Sequence, residues 1–211
     1  MRAFSGARAG LLPGCGARGG RERAARGGAA GRARGGAIAV RALILGGARS
    51  GKSAFAEGLA LKLGRESVLY VATALARPGD PELLGRIEEH RERRHSEWGL
   101  LELAGGGLVP VLKAADGWGA VLLDSLTLWV SARLIGDGEG GTLEEFDRFV
   151  ELAGDSSVPV VLVSDEVGLG TVPESAEARR FRDLLGLVNQ RAAAAAEEVH
   201  FCVAGLAHRI K

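Results

Sequence analysis

The chain has 211 residues, of which 46% are hydrophobic, 25% charged and 5% aromatic, with 33 glycines. That is enough for one medium domain with a sizeable core and leaves little for a second. Its longest apolar runs are four to six residues, too short for a membrane-spanning helix, and two cysteines, Cys15 and Cys202, exclude a disulfide framework or a multi-cysteine metal site and point to a reducing, cytoplasmic setting.

The formal net charge of +1 conceals a split. Residues 1–40 hold eight arginines and one acid, Glu22, for a charge of +7; residues 41–211 keep 19 of the 27 basic and 25 of the 26 acidic residues, for −6. A mildly acidic globular part argues against a nucleic-acid partner. Of the first forty residues, 30 are Gly, Ala or Arg, with no apolar period to bury. Such a segment cannot offset its ordering entropy, so a disordered tail outside the fold is expected. No unbroken apolar stretch marks a secretory signal, and eleven glycines argue against a helical presequence. The favoured expectation is that translation begins near Val40-Arg41, with a single domain over 41–211.

From Ala42 onward short apolar runs alternate with helical patterns. Strands are expected over Ala42–Leu45, Ser67–Thr73, Ala120–Asp124, Pro159–Asp165 and Glu198–Ala204. The blocks Val121-Leu122-Leu123 and Val160-Val161-Leu162-Val163 are continuous rather than alternating, as in strands buried on both faces. Helices are expected over Lys52–Leu63, Pro81–Arg94, Leu126–Ile135, Leu143–Leu152 and Glu174–Glu197. The alternation predicts an α/β fold, a mostly parallel sheet with helices on both faces.

The first strand runs straight into Gly46-Gly47-Ala48-Arg49-Ser50-Gly51-Lys52-Ser53, a full match to G-x-x-x-x-G-K-[ST] between a strand and a helix. Glycines let backbone N–H groups curl round an anion, the helix presents its positive N-terminus, Lys52 reaches the β- and γ-phosphates and the Ser53 hydroxyl suits Mg²⁺. This is the mark of a P-loop nucleotide site. Val121-Leu122-Leu123-Asp124 reads as a second buried strand ending in a carboxylate, which in such proteins holds the metal; the other reading of Asp124 is a helix N-cap.

His90 is the second chemical candidate. Leu83, Ile87, His90 and Arg94 share one helical face, and Arg86 and Arg94 lie one turn to either side of the imidazole. It is either a boundary histidine on a charge-rich helix or a nucleophile whose flanking arginines favour the neutral ring and bind phosphate oxygens. The four histidines do not cluster, which disfavours a histidine metal site.

Together these motifs carry a resemblance. LILGGARSGKS (43–53), VLYVAT (68–73), Arg86-Ile87 to His90 with Trp98 following, LLDSLTLW (122–129), VLVSDEVGLGTVPE (161–174), FRDLLGLVNQR (181–191) and the ending Ala204-Gly205 to Arg209-Ile210-Lys211 occur in order. Residues 41–211 thereby resemble the bifunctional adenosylcobinamide kinase / adenosylcobinamide-phosphate guanylyltransferase family of cobalamin synthesis, and the tail has no counterpart there. The resemblance implies a RecA-like P-loop fold and phosphorylation of adenosylcobinamide by ATP or GTP. It further implies transfer of GMP from GTP to that phosphate through a guanylyl-histidine, giving adenosylcobinamide-GDP. By position the histidine is His90, with Lys52 as the phosphate-binding partner. Nucleotide contacts would fall on Gly46, Gly47, Ala48, Arg49, Ser50, Gly51, Lys52, Ser53, Ala72, Thr73, Ala74, Arg91, Glu92, Arg93, Arg94, Glu102 and Asp124, with Mg²⁺ on Ser53 and Asp124. Glu102 has a chemical rationale beside the plainer reading as an exposed strand carboxylate, because a carboxylate accepts both N1–H and N2–H of guanine. The kinase step needs a base, for which Asp124, Asp165 and Glu166 all stand open. A homo-oligomer, a trimer by resemblance, is implied, although Trp118 and Trp129 read first as core.

Departures exist. His95 stands where a proline is usual, placing a second histidine five residues after His90; Leu206-Ala207-His208 replaces a more apolar stretch; Ser164-Asp165 stands where Thr/Ser-Asn is common. Rival readings are a kinase-only or transferase-only member, a non-catalytic nucleotide scaffold, and a RecA-like nucleic-acid-dependent ATPase. The last is opposed by the acidic domain with one Tyr and six Phe.

Overall fold

A computed structural model describes residues 40–74, 85, 88, 95, 97–103 and 105–211. The tail expected over 1–40 lies outside the described residues apart from Val40, which is buried and opens the first strand. The helix expected over Pro81–Arg94 is described only at Gly85 and Glu88, both helical.

Seven strands form one sheet: β1 (Val40–Gly46), β2 (Val68–Ala72), β3 (Gly99–Glu102), β4 (Ala120–Asp124), β5 (Val160–Asp165), β6 (Ala196–Val203) and β7 (Leu206–Arg209). Their order is β3-β2-β4-β5-β1-β6-β7. All neighbours run parallel except β6 and β7, which pair antiparallel. The strand carrying the P-loop and the strand ending in Asp124 are separated by β5, in keeping with the RecA-like arrangement expected.

Successive residues of a strand point to opposite faces, so a strand apolar at every position feeds two cores. On one face Leu43, Leu45, Val121, Leu123 and Leu162 pack under α2 (Val109–Ala114), α3 (Leu126–Gly154) and α4 (Ala176–Ala195). Trp129, Phe146 and Phe149 fill that layer with ring centroids 6.1 and 6.2 Å apart, and the Trp129 indole N–H donates to the Gly106 carbonyl at 3.1 Å. On the other face Ala42, Ile44, Val68, Tyr70, Leu122 and Val161 meet α1 (Lys52–Gly64) through Ala56 and Ala60. Helices therefore cover both faces, as the continuous apolar strands predict.

Three expectations need correction. The helices expected over Leu126–Ile135 and Leu143–Leu152 both form but run longer than expected, meeting at a kink at Gly138 (φ 69°, ψ −173°) to make α3. The glycines between them weaken a helix, but the Arg133–Asp137 pair at 2.5 Å holds the turn ahead of the kink, and the Thr142 hydroxyl bonds the Gly138 carbonyl at 2.6 Å behind it. The helix expected over Glu174–Glu197 is shortened to α4. Ser175 caps its start by accepting from the Ala178 amide at 3.1 Å, and from Ala196 the chain is already β6. Asp124 is not the cap of α3; Ser125 occupies that position.

Candidate nucleotide-binding site

The P-loop leaves β1 at Gly46, where close packing leaves no room for a side chain. An added Cβ would lie 2.5 Å from the Ser50 Oγ and 2.7 Å from the Cys202 carbonyl oxygen. Arg49 (φ 55°) and Gly51 (φ 90°) both adopt the left-handed conformation. Left-handed residues alternating along a loop turn successive N–H groups to one side, making a concavity that suits an anion. Gly51 is also the N-cap of α1, without any side-chain cap, so the uncapped helix start faces the same loop. Gly47, Ala48, Arg49 and Gly51 are exposed, Ser50 is buried, and Lys52 and Ser53 are half-buried. All eight residues of the motif thus form the loop and helix start the spacing predicts.

The Lys52 ammonium lies 2.6 Å from Oδ1 of Asp165 and 3.2 Å from the Gly47 carbonyl. Asp165 ends β5 directly beside Gly46 in the sheet register. Its backbone is fixed twice: its amide donates to the Thr127 hydroxyl at 2.8 Å, and its carbonyl accepts from the Asn189 side chain at 3.1 Å. Glu166, the next residue, donates its amide to the Gly46 carbonyl at 3.2 Å and accepts the Gly168 amide at 2.7 Å.

Along the same edge Asp124 and Glu102 stand abreast of Ala72, one on each side. Glu102 is exposed and Asp124 half-buried. Four inter-strand steps separate Glu102 from Gly46, about 19 Å. The Tyr70 hydroxyl donates to Oδ2 of Asp124 at 3.3 Å. Thr73 is buried; its hydroxyl accepts from the Ser125 amide at 2.8 Å and donates to the Ser125 carbonyl at 2.7 Å. Thr73 therefore braces the segment that carries Asp124, and Ala74 follows it half-buried at the edge. The strands' carboxyl ends are where open parallel sheets bind ligands.

His90 and Arg91, Glu92, Arg93 and Arg94 lie outside the described residues. His95 and Trp98, which follow them, have ring centroids 5.3 Å apart, and Trp98 stacks on Tyr70 at 6.4 Å. His208 is exposed on β7, as expected. Cys202 is a buried free thiol beside Gly46. Burial pushes its thiol up, with Lys52 acting weakly in the opposite direction.

Sequence reasoning did not single out Tyr70, Thr127 or Asn189. Each acts on a residue 24 to 54 positions away, a distance at which periodicity carries no signal. Tyr70, the chain's one tyrosine, lies inside an otherwise aliphatic strand, and that oddity was the available clue.

Comparison with known proteins identifies the family. A family model described as cobinamide kinase / cobinamide phosphate guanyltransferase matches residues 42–210. The bifunctional adenosylcobalamin biosynthesis protein CobP of Pseudomonas aeruginosa is 41% identical over 172 residues, covering 82% of this chain and 98% of that protein. The corresponding CobU protein of Salmonella typhimurium is 39% identical over 185 residues, covering 80% and 98%. Among solved structures, the flagellar accessory protein FlaH of Methanocaldococcus jannaschii overlays with a TM-score of 0.42 at 16% identity, covering 84% of this chain and 80% of that one. The family model over residues 42–210 and the two relatives at about 40% identity, beside a complete P-loop, place the chain in the cobinamide kinase / cobinamide phosphate guanylyltransferase family.

Proposed function

We propose that the chain is a bifunctional enzyme of adenosylcobalamin synthesis. It phosphorylates adenosylcobinamide with ATP or GTP and then transfers GMP from GTP to the resulting phosphate. The observation that carries this reading is the complete P-loop with Lys52 poised at its mouth, in a chain of this family.

Both reactions use one anion-binding platform. The loop N–H groups and the start of α1 take the phosphates, and Lys52 neutralises charge on the transferring group, so positioning and electrostatics do most of the catalysis. In the kinase step the acceptor hydroxyl oxygen bonds to the γ-phosphorus, the bond to the nucleoside diphosphate breaks, and the hydroxyl proton passes to a carboxylate of the edge; Asp124, Asp165 and Glu166 supply candidates. In guanylyl transfer His90 forms a P–N bond to the α-phosphorus as pyrophosphate leaves, and the cobinamide phosphate oxygen then displaces the imidazole. Arg91, Arg93 and Arg94 follow His90 closely enough in sequence to share its phosphate. Glu102, at the far end of the edge, suits the guanine N1–H and N2–H.

Ser53 and Asp124 offer the hard hydroxyl and carboxylate oxygens that Mg²⁺ prefers, and the Tyr70 bond orients the carboxylate. These two residues would hold Mg²⁺, which when bound offsets phosphate charge. Assembly as a homo-oligomer in the cytoplasm completes the proposal. Among the described residues no helix is long and apolar enough to cross a membrane.

Purified protein supplied with ATP and adenosylcobinamide should yield the phosphate by mass spectrometry, and the GDP derivative once GTP is added. Absence of both products would contradict the reading.

A further inference from the structure

The P-loop lysine, Lys52, is paired with a carboxylate. Its ammonium and the Asp165 carboxylate are 2.6 Å apart, with side-chain exposures of 13% and 24%, so solvent screens this pair less than a surface one. The two partners differ in freedom. Asp165 is anchored by the Thr127 hydroxyl on its amide and by Asn189, itself buried, on its carbonyl. Lys52 is a four-carbon stem on the first turn of α1, able to swing its charge without moving the backbone. A phosphate in the loop needs that same charge.

We infer that Asp165 competes with phosphate for the Lys52 ammonium, so that nucleotide binding is an exchange in which phosphate takes that charge from the carboxylate. This rests on the nucleotide-binding reading above and adds a residue that sets affinity. The exchange has two consequences of the same sign. Breaking the Lys52–Asp165 pair opposes binding, and the carboxylate, on a backbone anchored beside the loop, then faces incoming negative charge across a short distance. Asp165 therefore lowers nucleotide affinity, and an uncharged side chain of the same shape raises it. A residue serving only to shape the loop would do the reverse when replaced.

The experiment is calorimetric titration of GTP into the full chain and into D165N and D165A. EDTA is present throughout, so that a metal-holding role of the carboxylate does not enter. Folding of each variant is checked by its thermal unfolding midpoint. The expected result is a Kd about tenfold lower in both variants, equivalent to about 1.4 kcal/mol. Equal or weaker binding by folded variants overturns the inference. Failure of the unsubstituted chain to bind GTP both in EDTA and with Mg²⁺ restored would instead overturn the nucleotide-binding reading on which it rests, so the two failures are told apart.

Discussion

The amide of Gly205, at the turn between β6 and β7, donates to the carbonyl of Ser50 at 2.9 Å. The contact is close enough that a Cβ on Gly51 would stand 3.0 Å from the Gly205 Cα. The final hairpin therefore props the P-loop from the side opposite Asp165. Residues more than 150 positions apart in sequence fix the curvature on which anion binding depends.

Gly51→Ala is expected to be worse than Gly205→Ala. Both glycines have positive φ, 90° and 81°, so each substitution carries backbone strain of about 1–2 kcal/mol. Only at Gly51 does the added methyl also press on backbone, while the space at Gly205 is open. Urea unfolding should rank the two variants in that order, and GTP titration should show the larger loss of affinity for Gly51→Ala.

Tyr70→Phe removes the hydroxyl that orients Asp124 while keeping the ring that stacks on Trp98. If Asp124 holds Mg²⁺, the concentration of Mg²⁺ giving half-maximal turnover should rise about tenfold, as for other residues that orient a metal ligand. Titration of activity with Mg²⁺ at saturating GTP checks this, and an unchanged midpoint would remove Tyr70 from that role.

In α3 neighbouring glycines should respond with opposite signs. Gly136 and Gly140 have open space where a Cβ would lie and ordinary negative φ, so alanine at either should stabilise by about 0.5–1 kcal/mol. Gly138 has φ 69°, and alanine there should destabilise by about 1 kcal/mol or more. Unfolding midpoints of the three single variants decide it.

Glu198 gives the fold a pH dependence. His200 Nε2 lies 3.1 Å from one carboxylate oxygen and Arg41 NH2 2.8 Å from the other. The His200 hydrogen bond first, then the charges of Arg41 and Arg209, hold the carboxyl below its usual 4.5 against the opposing effect of burial. A carboxyl depressed in the folded state contributes stability above its unfolded value and loses it as pH falls through the folded one. Glu198→Gln should therefore lower the unfolding midpoint at pH 7, and the gap to the unsubstituted chain should close as pH drops below 4.5.

The parts legible in the sequence were those written locally. Val121 to Leu123 and Val160 to Val163 announced strands because burial on both faces forces every position to be apolar, and the P-loop announced itself because phosphate binding fixes residue types at consecutive positions. β3 escaped notice because its residues alternate half-buried and exposed over only four positions. β7 is a short edge strand with little buried surface, and α2 is six residues opened by a proline. In the site, Lys52 and Asp124 were readable, whereas the Lys52–Asp165 pair, the Tyr70 bond and the Gly205 prop are made only when β2, β5 and β6 come to lie beside their neighbours.

Guanylyl transfer through His90 stands or falls on incubation with Mg²⁺ and α-³²P-GTP followed by denaturing electrophoresis, with His90→Ala and His95→Ala in parallel. An acid-labile, alkali-stable label is expected on the unsubstituted chain and on His95→Ala, and none on His90→Ala. Label that survives in His90→Ala, or no label on the unsubstituted chain, would contradict it.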